Sequence, residues 1–128
     1  MKSIAVYCSS SNKISKAFND EVSKIGKLLA QKKFKIIYGG GDMGLMGELS
    51  KSAILAGGEV KGVITEHLIN IERKNESENN VKIVNTMHER KIEMYNSADS
   101  FLILPGGIGT LEEFFEVLSW KQLNLHNK

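Results

Sequence analysis

The sequence predicts an α/β protein with a doubly wound, Rossmann-like parallel sheet. Five short apolar runs alternate with segments in which apolar residues recur at helical spacing, and such alternation favours right-handed βαβ units. The runs are rich in Ile, Val and Leu with little polar alternation, which is typical of strands covered by helices on both faces. With 128 residues, 41% of them hydrophobic and 25% charged, the chain suits one compact domain over residues 1–128.

Each element is predicted from its apolar pattern. The predicted strands are residues 3–9, 34–38, 59–65, 81–84 and 100–104. The predicted helices are marked by Phe18, Val22, Ile25 and Leu29; by Leu45, Leu49 and Ala53; by Met87, Lys91 and Met94; and by Leu111, Phe114, Phe115 and Leu118. Residues 70–80 are polar without periodicity, which predicts an exposed loop.

The chain ends at Lys128, where another strand would be expected, so we expect a shortened form of a longer fold or an edge covered by a partner subunit.

Composition excludes several classes of protein. A net charge of +2 with scattered lysines argues against a nucleic-acid partner. The first apolar run is too short for a membrane span or a signal peptide. Cys8 is the only cysteine and predicts a small buried thiol in a cytoplasmic protein without internal disulfides. The three histidines are dispersed, so we expect no metal site.

A first glycine cluster, residues 38–47, follows a predicted strand and opens a predicted helix. Glycines allow a tight turn and close backbone approach, and a helix N-terminus presents N–H groups to an anion. Gly39, Gly41 and Gly44 also fit the dinucleotide fingerprint, but Glu59 lies at the wrong end of the next strand for the acidic residue of that motif. The alternative is a strand-to-helix turn without a ligand.

A second cluster, residues 104–113, repeats this arrangement with a proline and three glycines. We predict that Thr110 is the N-cap of the following helix, with Glu113 completing a capping box. The cluster also suits a phosphate held by backbone amides and the Thr110 hydroxyl, with the Glu113 carboxylate near a bound sugar.

Between the clusters, residues 87–95 predict a helix with Met87, Arg90, Lys91 and Met94 on one face. Arg90 could bind a phosphate or pair with a carboxylate, because its guanidinium binds such groups through two hydrogen bonds. The alternative is a local ion pair with Glu89 or Glu93 on the same helix.

Together these motifs resemble the Lonely Guy (LOG) family of cytokinin riboside 5′-monophosphate phosphoribohydrolases, once labelled lysine decarboxylases. The resemblance runs from Val6 to the C-terminus. It depends most on residues 39–47, on residues 87–91 and on residues 105–113, which match the family signature PGGxGTxxE. It implies a hydrolase that releases the free base and ribose 5-phosphate from a nucleoside 5′-monophosphate without a cofactor.

The resemblance also implies the site. Arg90 and Glu113 occupy the catalytic positions, and the family is dimeric with active sites near the subunit interface. The predicted substrate-binding residues are Gly39, Gly40, Gly41, Gly44, Met46, Lys91, Gly106, Gly107, Ile108, Gly109, Thr110, Leu111 and Glu112. Two departures matter: this chain has Ser9 where the family commonly has glycine, and family members continue past the position of Lys128.

In the predicted mechanism, Glu113 stabilises the positive charge that develops on the ribose and orients or activates water, while Arg90 keeps Glu113 ionised. A non-catalytic nucleotide-binding or carrier module on the same sheet is the main alternative. Dinucleotide-dependent redox chemistry is a third. A pyridoxal-phosphate decarboxylase is disfavoured, because Lys91 is the only lysine close to the motifs and adjoins Arg90.

Overall fold

The computed structural model describes residues 1–73 and 80–128, and these form an α/β fold. Strands and helices alternate along the whole described chain, as predicted. In chain order they are β1 (Ser3–Tyr7), α1 (Lys16–Gln31), β2 (Lys35–Tyr38), α2 (Gly44–Leu55), β3 (Val60–Thr65), α3 (Glu66–Glu72), β4 (Val81–Val84), α4 (Met87–Ser97), β5 (Ser100–Ile103) and α5 (Ile108–Gln122).

All the strand pairs are parallel, and the sheet order is β4-β3-β2-β1-β5. The chain moves outward from β1 through β2 and β3 to β4, then returns to the other side of β1 to form β5. The strand order therefore reverses at β1 and β5. In sheets of this type, ligands bind outside the carboxyl ends of the strands at such a reversal. The predicted Rossmann-like, doubly wound sheet is confirmed.

The core lies on both faces of the sheet. Val6 and Ile36 pack in a cluster with residues of α1 and α2, whereas the adjacent Ala5 and Ile37 pack in a second cluster with residues of α4 and α5. Neighbouring residues of one strand point to opposite faces. Because both faces are covered, both neighbours must be apolar, which explains the missing polar alternation in the sequence.

One helix was not predicted. The predicted loop over residues 70–80 is wrong at its start, because residues 70–72 belong to α3. Residues 74–79 of that loop lie outside the described residues. Helix α3 is 7 residues long and has no buried residue, so its few apolar residues do not form a repeat long enough to predict a helix. Its start is fixed by Thr65, whose side chain accepts a hydrogen bond from the Leu68 N–H at 3.2 Å. Among the described helices, none has the length and apolar character needed to cross a membrane.

Candidate active site

A cavity of about 300 Å³ lies at the carboxyl ends of β1 and β5, where the strand order reverses. One part of its wall is apolar and includes Met46, Leu68 and Met87. The other part is polar and includes Arg90 and Glu113, so the two predicted catalytic residues border the same space. The cavity therefore offers both an apolar and a charged environment to one ligand.

Arg90 enters the cavity from α4 and is only 4% exposed. Its Nε donates to the Val63 carbonyl at 2.9 Å and its Nη2 donates to the Gly39 carbonyl at 2.8 Å. The local ion pairs considered above are wrong, because Glu93 pairs with lysines of the sheet and Glu89 accepts a hydrogen bond from the Asn85 N–H. A guanidinium has five N–H donors, so two bonds to the strand ends leave donors and a full positive charge for a ligand.

Gly39 is required beneath Arg90. A Cβ at this position would lie 2.3 Å from Arg90 Nη2 and 2.8 Å from Met46 Cε. The first glycine of the first cluster therefore makes room for the guanidinium.

Glu72 is a site residue that the sequence analysis missed. It is the last residue of α3, and its Oε1 accepts a hydrogen bond from Ser10 Oγ at 3.0 Å. Its Oε2 is buried, has no hydrogen-bond partner in the described structure, and lies 4.0 Å from Arg90 Nη2. A buried carboxylate oxygen without a partner is costly in free energy. The geometry therefore presents an unsatisfied acceptor at the cavity wall.

The N-terminus of α5 forms another part of the polar wall. The predicted N-cap at Thr110 is wrong: the helix begins at Ile108, Gly107 is the N-cap, and no side chain caps it. Thr110 is buried in the first turn against Gly106, where a Cβ on the glycine would lie 2.1 Å from Thr110 Oγ1. Helix geometry leaves the N–H groups of Ile108, Gly109 and Thr110 without intrahelical acceptors. Among the described residues none accepts from these three N–H groups, and such groups at a helix N-terminus suit an anion.

Two glycines at this helix start are not explained by the described chain. A Cβ at Gly107 or Gly109 would meet none of the described residues within 4 Å. Neither glycine has a positive φ. Neither packing nor backbone strain therefore requires glycine at these positions. Close approach of a ligand to the backbone would require it.

The N-terminus of α2 differs, although the sequence there is similarly rich in glycine. The Gly44 N–H donates to Asn12 Oδ1 at 3.0 Å, and the Met46 N–H donates to the Ser9 carbonyl at 3.1 Å. Gly44 has a φ of +59° and a Cβ on it would lie 2.5 Å from the Ser11 carbonyl oxygen. These donors are already occupied by the protein itself, so the anion-binding role of the first cluster finds less support than that of the second.

Burial changes the acid–base properties of the site. It raises the pKa of Glu113 to about 7, while the Arg90 charge opposes this rise and the nearby carboxylates of Glu112 and Glu72 add to it. Burial also raises the pKa of the Cys8 thiol to about 12, so Cys8 is a poor nucleophile at neutral pH. Among the described residues, no carboxylate forms an ion pair with Arg90 closer than the 4.0 Å contact with Glu72.

Lys91 bridges α4 and α5 beside the cavity. Its Nζ lies 2.6 Å from Glu112 Oε1 and 3.0 Å from Glu116 Oε2. Both hydrogen bonds raise the pKa of Lys91 above its usual value. The sequence predicted that two methionines and two cations share one face of α4. In the structure Arg90 and Met94 of this set are buried, whereas Lys91 faces α5.

The predicted site residues thus lie in three places. Met46, Gly107, Gly109, Thr110 and Glu112 border the cavity with Arg90 and Glu113. The residues Gly39, Gly40, Gly41, Gly44 and Gly106 support the loops behind it, with Gly40 at a φ of +79°. Ile108 and Leu111 are exposed on the outer side of α5, at 84% and 45%. No sequence pattern pointed to Glu72, because it lies on a helix of 7 residues that has no buried residue.

The fold and the site define a Rossmann-like protein with an uncapped helix N-terminus, an arginine and a carboxyl group around one cavity. Comparison with known proteins shows the family to which the chain belongs. Residues 46–128 match the family model described as "Possible lysine decarboxylase". The chain belongs to this family, and its predicted membership of the Lonely Guy family is confirmed.

Among the curated relatives are plant proteins similar to nearly the whole chain. "Probable cytokinin riboside 5'-monophosphate phosphoribohydrolase LOGL9" of Oryza sativa subsp. japonica is 43% identical over 98% of this chain and 55% of its own length. "Cytokinin riboside 5'-monophosphate phosphoribohydrolase LOG5" of Arabidopsis thaliana is 41% identical over 99% of this chain and 56% of its own length. The chain therefore spans about half the length of these relatives.

Solved structures share the fold. The X-ray structure of TM1055, a Northeast Structural Genomics Consortium target, has a TM-score of 0.72 and 26% identity over 90% of this chain and 67% of its own. The molybdenum cofactor binding protein of Rippkaea orientalis has a TM-score of 0.78 and 20% identity over 94% of this chain and 73% of its own. At that identity the likeness shows the fold alone.

Proposed function

We propose that this protein hydrolyses the N-glycosidic bond of a nucleoside 5′-monophosphate, giving the free base and ribose 5-phosphate. The observation that carries the proposal is the uncapped N-terminus of α5 next to Glu113 and Arg90 in one cavity. The names of the curated relatives support a cytokinin riboside monophosphate, or a nucleotide like adenosine monophosphate, as the substrate.

The 5′-phosphate is expected at the N-terminus of α5. The free N–H groups of its first turn and the positive end of the helix dipole favour an anion there. The open space at Gly107 and Gly109 lets the phosphate approach the backbone. Arg90 adds positive charge from the opposite wall. Binding of the phosphate then fixes the sugar relative to Glu113, and this remote binding energy lowers the barrier at the reacting carbon.

Glu113 is expected to perform the acid–base chemistry. As the C1′–N bond breaks, its electron pair moves to the base and positive charge develops on the ribose, which an ionised carboxylate stabilises. Glu113 accepts a proton from the attacking water, whose oxygen bonds to C1′, and then releases this proton to the departing base, which returns Glu113 to its ionised form. A pKa of about 7 places Glu113 close to the pH at which one group can both accept and release protons.

The test is a base-release assay. The protein is incubated with adenosine monophosphate and with N6-modified relatives, and free base and ribose 5-phosphate are both quantified. Equimolar release of the two products supports the proposal, with Glu113→Gln as the size-matched control that removes the charge. Nucleotide binding without release in the unmodified protein would instead support the carrier alternative.

Amino-acid decarboxylation fits the cavity poorly. A Schiff base with pyridoxal phosphate needs a neutral lysine amine. Lys91 is bonded to two carboxylates, which raise its pKa and keep it protonated. Among the described residues, the cavity wall includes no lysine.

We further propose a homodimer that uses the outer face of α5. Ile108, Leu111, Phe115 and Leu118 recur at helical spacing and are 84%, 45%, 59% and 46% exposed. An exposed apolar stripe of this kind marks a docking surface, and a second copy is consistent with the dimeric family. Phe115→Glu should convert a dimer to monomer in light scattering after size exclusion. Phe18→Glu on α1, at a position 46% exposed, is the matched control and should leave the mass unchanged.

A cytoplasmic location is proposed on the chemistry of the cysteine. Cys8 is buried as a free thiol, and it is the only cysteine of the sequence. Proteins of reducing compartments keep such thiols free. The predicted substrate class, a nucleoside monophosphate, fits the same compartment. Fractionation of cells that express a tagged protein would test this location.

A further inference from the structure

Three consecutive serines follow β1, and the structure gives them different roles. Ser10 Oγ donates to Glu72 Oε1 at 3.0 Å. Ser11 is exposed, and its Oγ accepts from the Lys13 N–H at 3.1 Å. Ser9 is only 9% exposed and borders the cavity. All three serines border the cavity, and Ser9 is the one whose side chain is buried.

The backbone of Ser9 is held between the two glycine clusters. Its N–H donates to the Pro105 carbonyl at 3.0 Å, and its carbonyl accepts from the Met46 N–H at 3.1 Å. Pro105 opens the loop that leads into α5. Ser9 is therefore fixed close to the helix terminus at which we expect the phosphate.

The hydroxyl of Ser9 retains an unused donor. Its Oγ accepts a hydrogen bond from the Ser11 N–H at 3.0 Å. A serine hydroxyl also carries one proton to donate, and among the described residues no acceptor receives it. A polar donor that is nine-tenths buried normally has a partner. A polar atom of a ligand in the cavity would supply this partner.

We infer that Ser9 is a substrate-contacting residue whose hydroxyl donates a hydrogen bond to an oxygen of the sugar-phosphate part of the ligand. This inference rests on the proposed function for the identity of that ligand. Because the resemblance places glycine at this position, the donor distinguishes this chain from the common family pattern. The contact adds affinity for ribose phosphate and leaves recognition of the base unchanged.

The test measures binding of ribose 5-phosphate and of free adenine by calorimetry, without turnover. Ser9→Ala should weaken ribose 5-phosphate binding roughly tenfold, the effect of losing one hydrogen bond to an anionic or hydroxyl oxygen. Adenine binding should stay within about twofold, and Ser9→Thr, which keeps the hydroxyl, should restore affinity. Ser11→Ala is the matched control, because it removes the same type of turn hydrogen bond from an exposed serine of the same cavity wall.

Equal ribose 5-phosphate affinity in Ser9→Ala and the unmodified protein would overturn the inference. So would parallel losses for ribose 5-phosphate and adenine, since these indicate a distorted loop, or a comparable loss in Ser11→Ala, since the effect would then not be specific to Ser9. Failure of the unmodified protein to bind ribose 5-phosphate would overturn it as well. If binding shows the Ser9 effect while no nucleotide releases its base, the proposed hydrolysis fails and the Ser9 contact stands.

Discussion

At the scale of single residues, the role and the pKa of Glu113 are set by residues that surround it in the fold more than by its neighbours in the sequence. The sequence predicted a capping carboxylate or a catalytic one. In the structure α5 begins at Ile108 with Gly107 as its N-cap, three residues before the predicted cap at Thr110, so Thr110 and Glu113 form no capping box. It borders the cavity instead, and burial raises its pKa to about 7. A polar residue placed at such cost in free energy is a candidate for function.

Removal of the Glu113 carboxyl should abolish chemistry while preserving binding. Glu113→Ala is expected to lower kcat roughly a hundredfold or more, because one charged group at a developing charge contributes that much. Binding of ribose 5-phosphate should persist, since the phosphate donors lie on the backbone of α5. Single-turnover base release together with calorimetry measures both quantities. An unchanged rate in a folded variant would remove Glu113 from the mechanism.

The pH dependence of the rate should follow Glu113. If its ionised form is the base, kcat/KM falls as pH drops below about 7, by about tenfold per pH unit, and is level above that value. The pKa is raised relative to the ordinary value of 4.5, so the inflection lies far above that of an exposed glutamate. A pH series of base release measures it. The residual activity of Glu113→Gln should lack this inflection. A rate that rises toward acid pH would assign Glu113 as an acid instead.

At the scale of elements, the same short pattern has two outcomes. Thr86 and Glu89 form a cap: Thr86 Oγ1 accepts from the Glu89 N–H at 3.1 Å, and Glu89 Oε2 accepts from the Asn85 N–H at 3.0 Å. Thr110 and Glu113 have the same spacing and form no cap. The sequence contains both patterns, but the helix starts decide which of them is used. Both helices border the cavity, and of the two α5 is the one without a side-chain cap.

The glycines at the start of α5 are expected to lower the free energy of unfolding and to favour binding of ribose 5-phosphate. Gly109→Ala places a methyl group in open space within the helix, and alanine favours helix over glycine, so the free energy of unfolding should rise by about 1 kcal/mol. The same methyl group lies where the phosphate is expected to contact the backbone, so ribose 5-phosphate should bind more weakly. Denaturant unfolding and calorimetry measure the two effects.

Gly57→Ala is the comparison for that variant. Gly57 also has open space around a Cβ, but it has a φ of +78° and lies away from the cavity. Alanine there should lower stability because of that backbone conformation, with no change in ligand binding. A Gly109→Ala protein that binds ribose 5-phosphate normally would argue against a phosphate at α5.

At the scale of the whole molecule, ionic contacts tie the sheet to α4. Glu93 Oε1 lies 2.6 Å from Lys61 Nζ of β3, and its Oε2 lies 3.0 Å from Lys82 Nζ of β4. Hydrogen bonds from these two lysines lower the pKa of Glu93 to about 2. Since α4 also carries Arg90, the same cluster helps to hold the cavity wall in place.

Glu93→Gln should lower stability at neutral pH and have little effect in acid. The folded-state pKa lies below the ordinary value of 4.5, so the ionised form stabilises the fold above that pH, and this contribution is lost as pH falls toward about 2. The loss at pH 7 should be about 1 kcal/mol, because the pair is partly exposed. Denaturant unfolding across pH measures it. Glu21→Gln, at the exposed pair with Lys24, is the control and should change little. A constant difference at every pH would contradict the ionic origin.

The sequence by itself determined the alternation of strands and helices and the position of both glycine clusters. It also predicted that Arg90 and Glu113 share one site, and both border the same cavity. These predictions depend on local patterns of apolarity, turn residues and motif spacing. Its strand boundaries differ by one or two residues at the ends. Strand ends depend on pairing with distant residues, as Ser9 shows when its N–H bonds to Pro105.

The tertiary structure decided which of the locally possible hydrogen bonds form and which side chains meet. It placed Glu72 beside Arg90 across 18 residues of sequence, occupied the N–H donors of α2 with Asn12 and Ser9, and left those of α5 open. No local pattern carries this information, because hydrogen-bond partners and burial depend on contacts between segments far apart in the chain. The sequence contains two glycine-rich helix starts, and only the packing decided that the first N–H groups of α5 have no acceptor among the described residues.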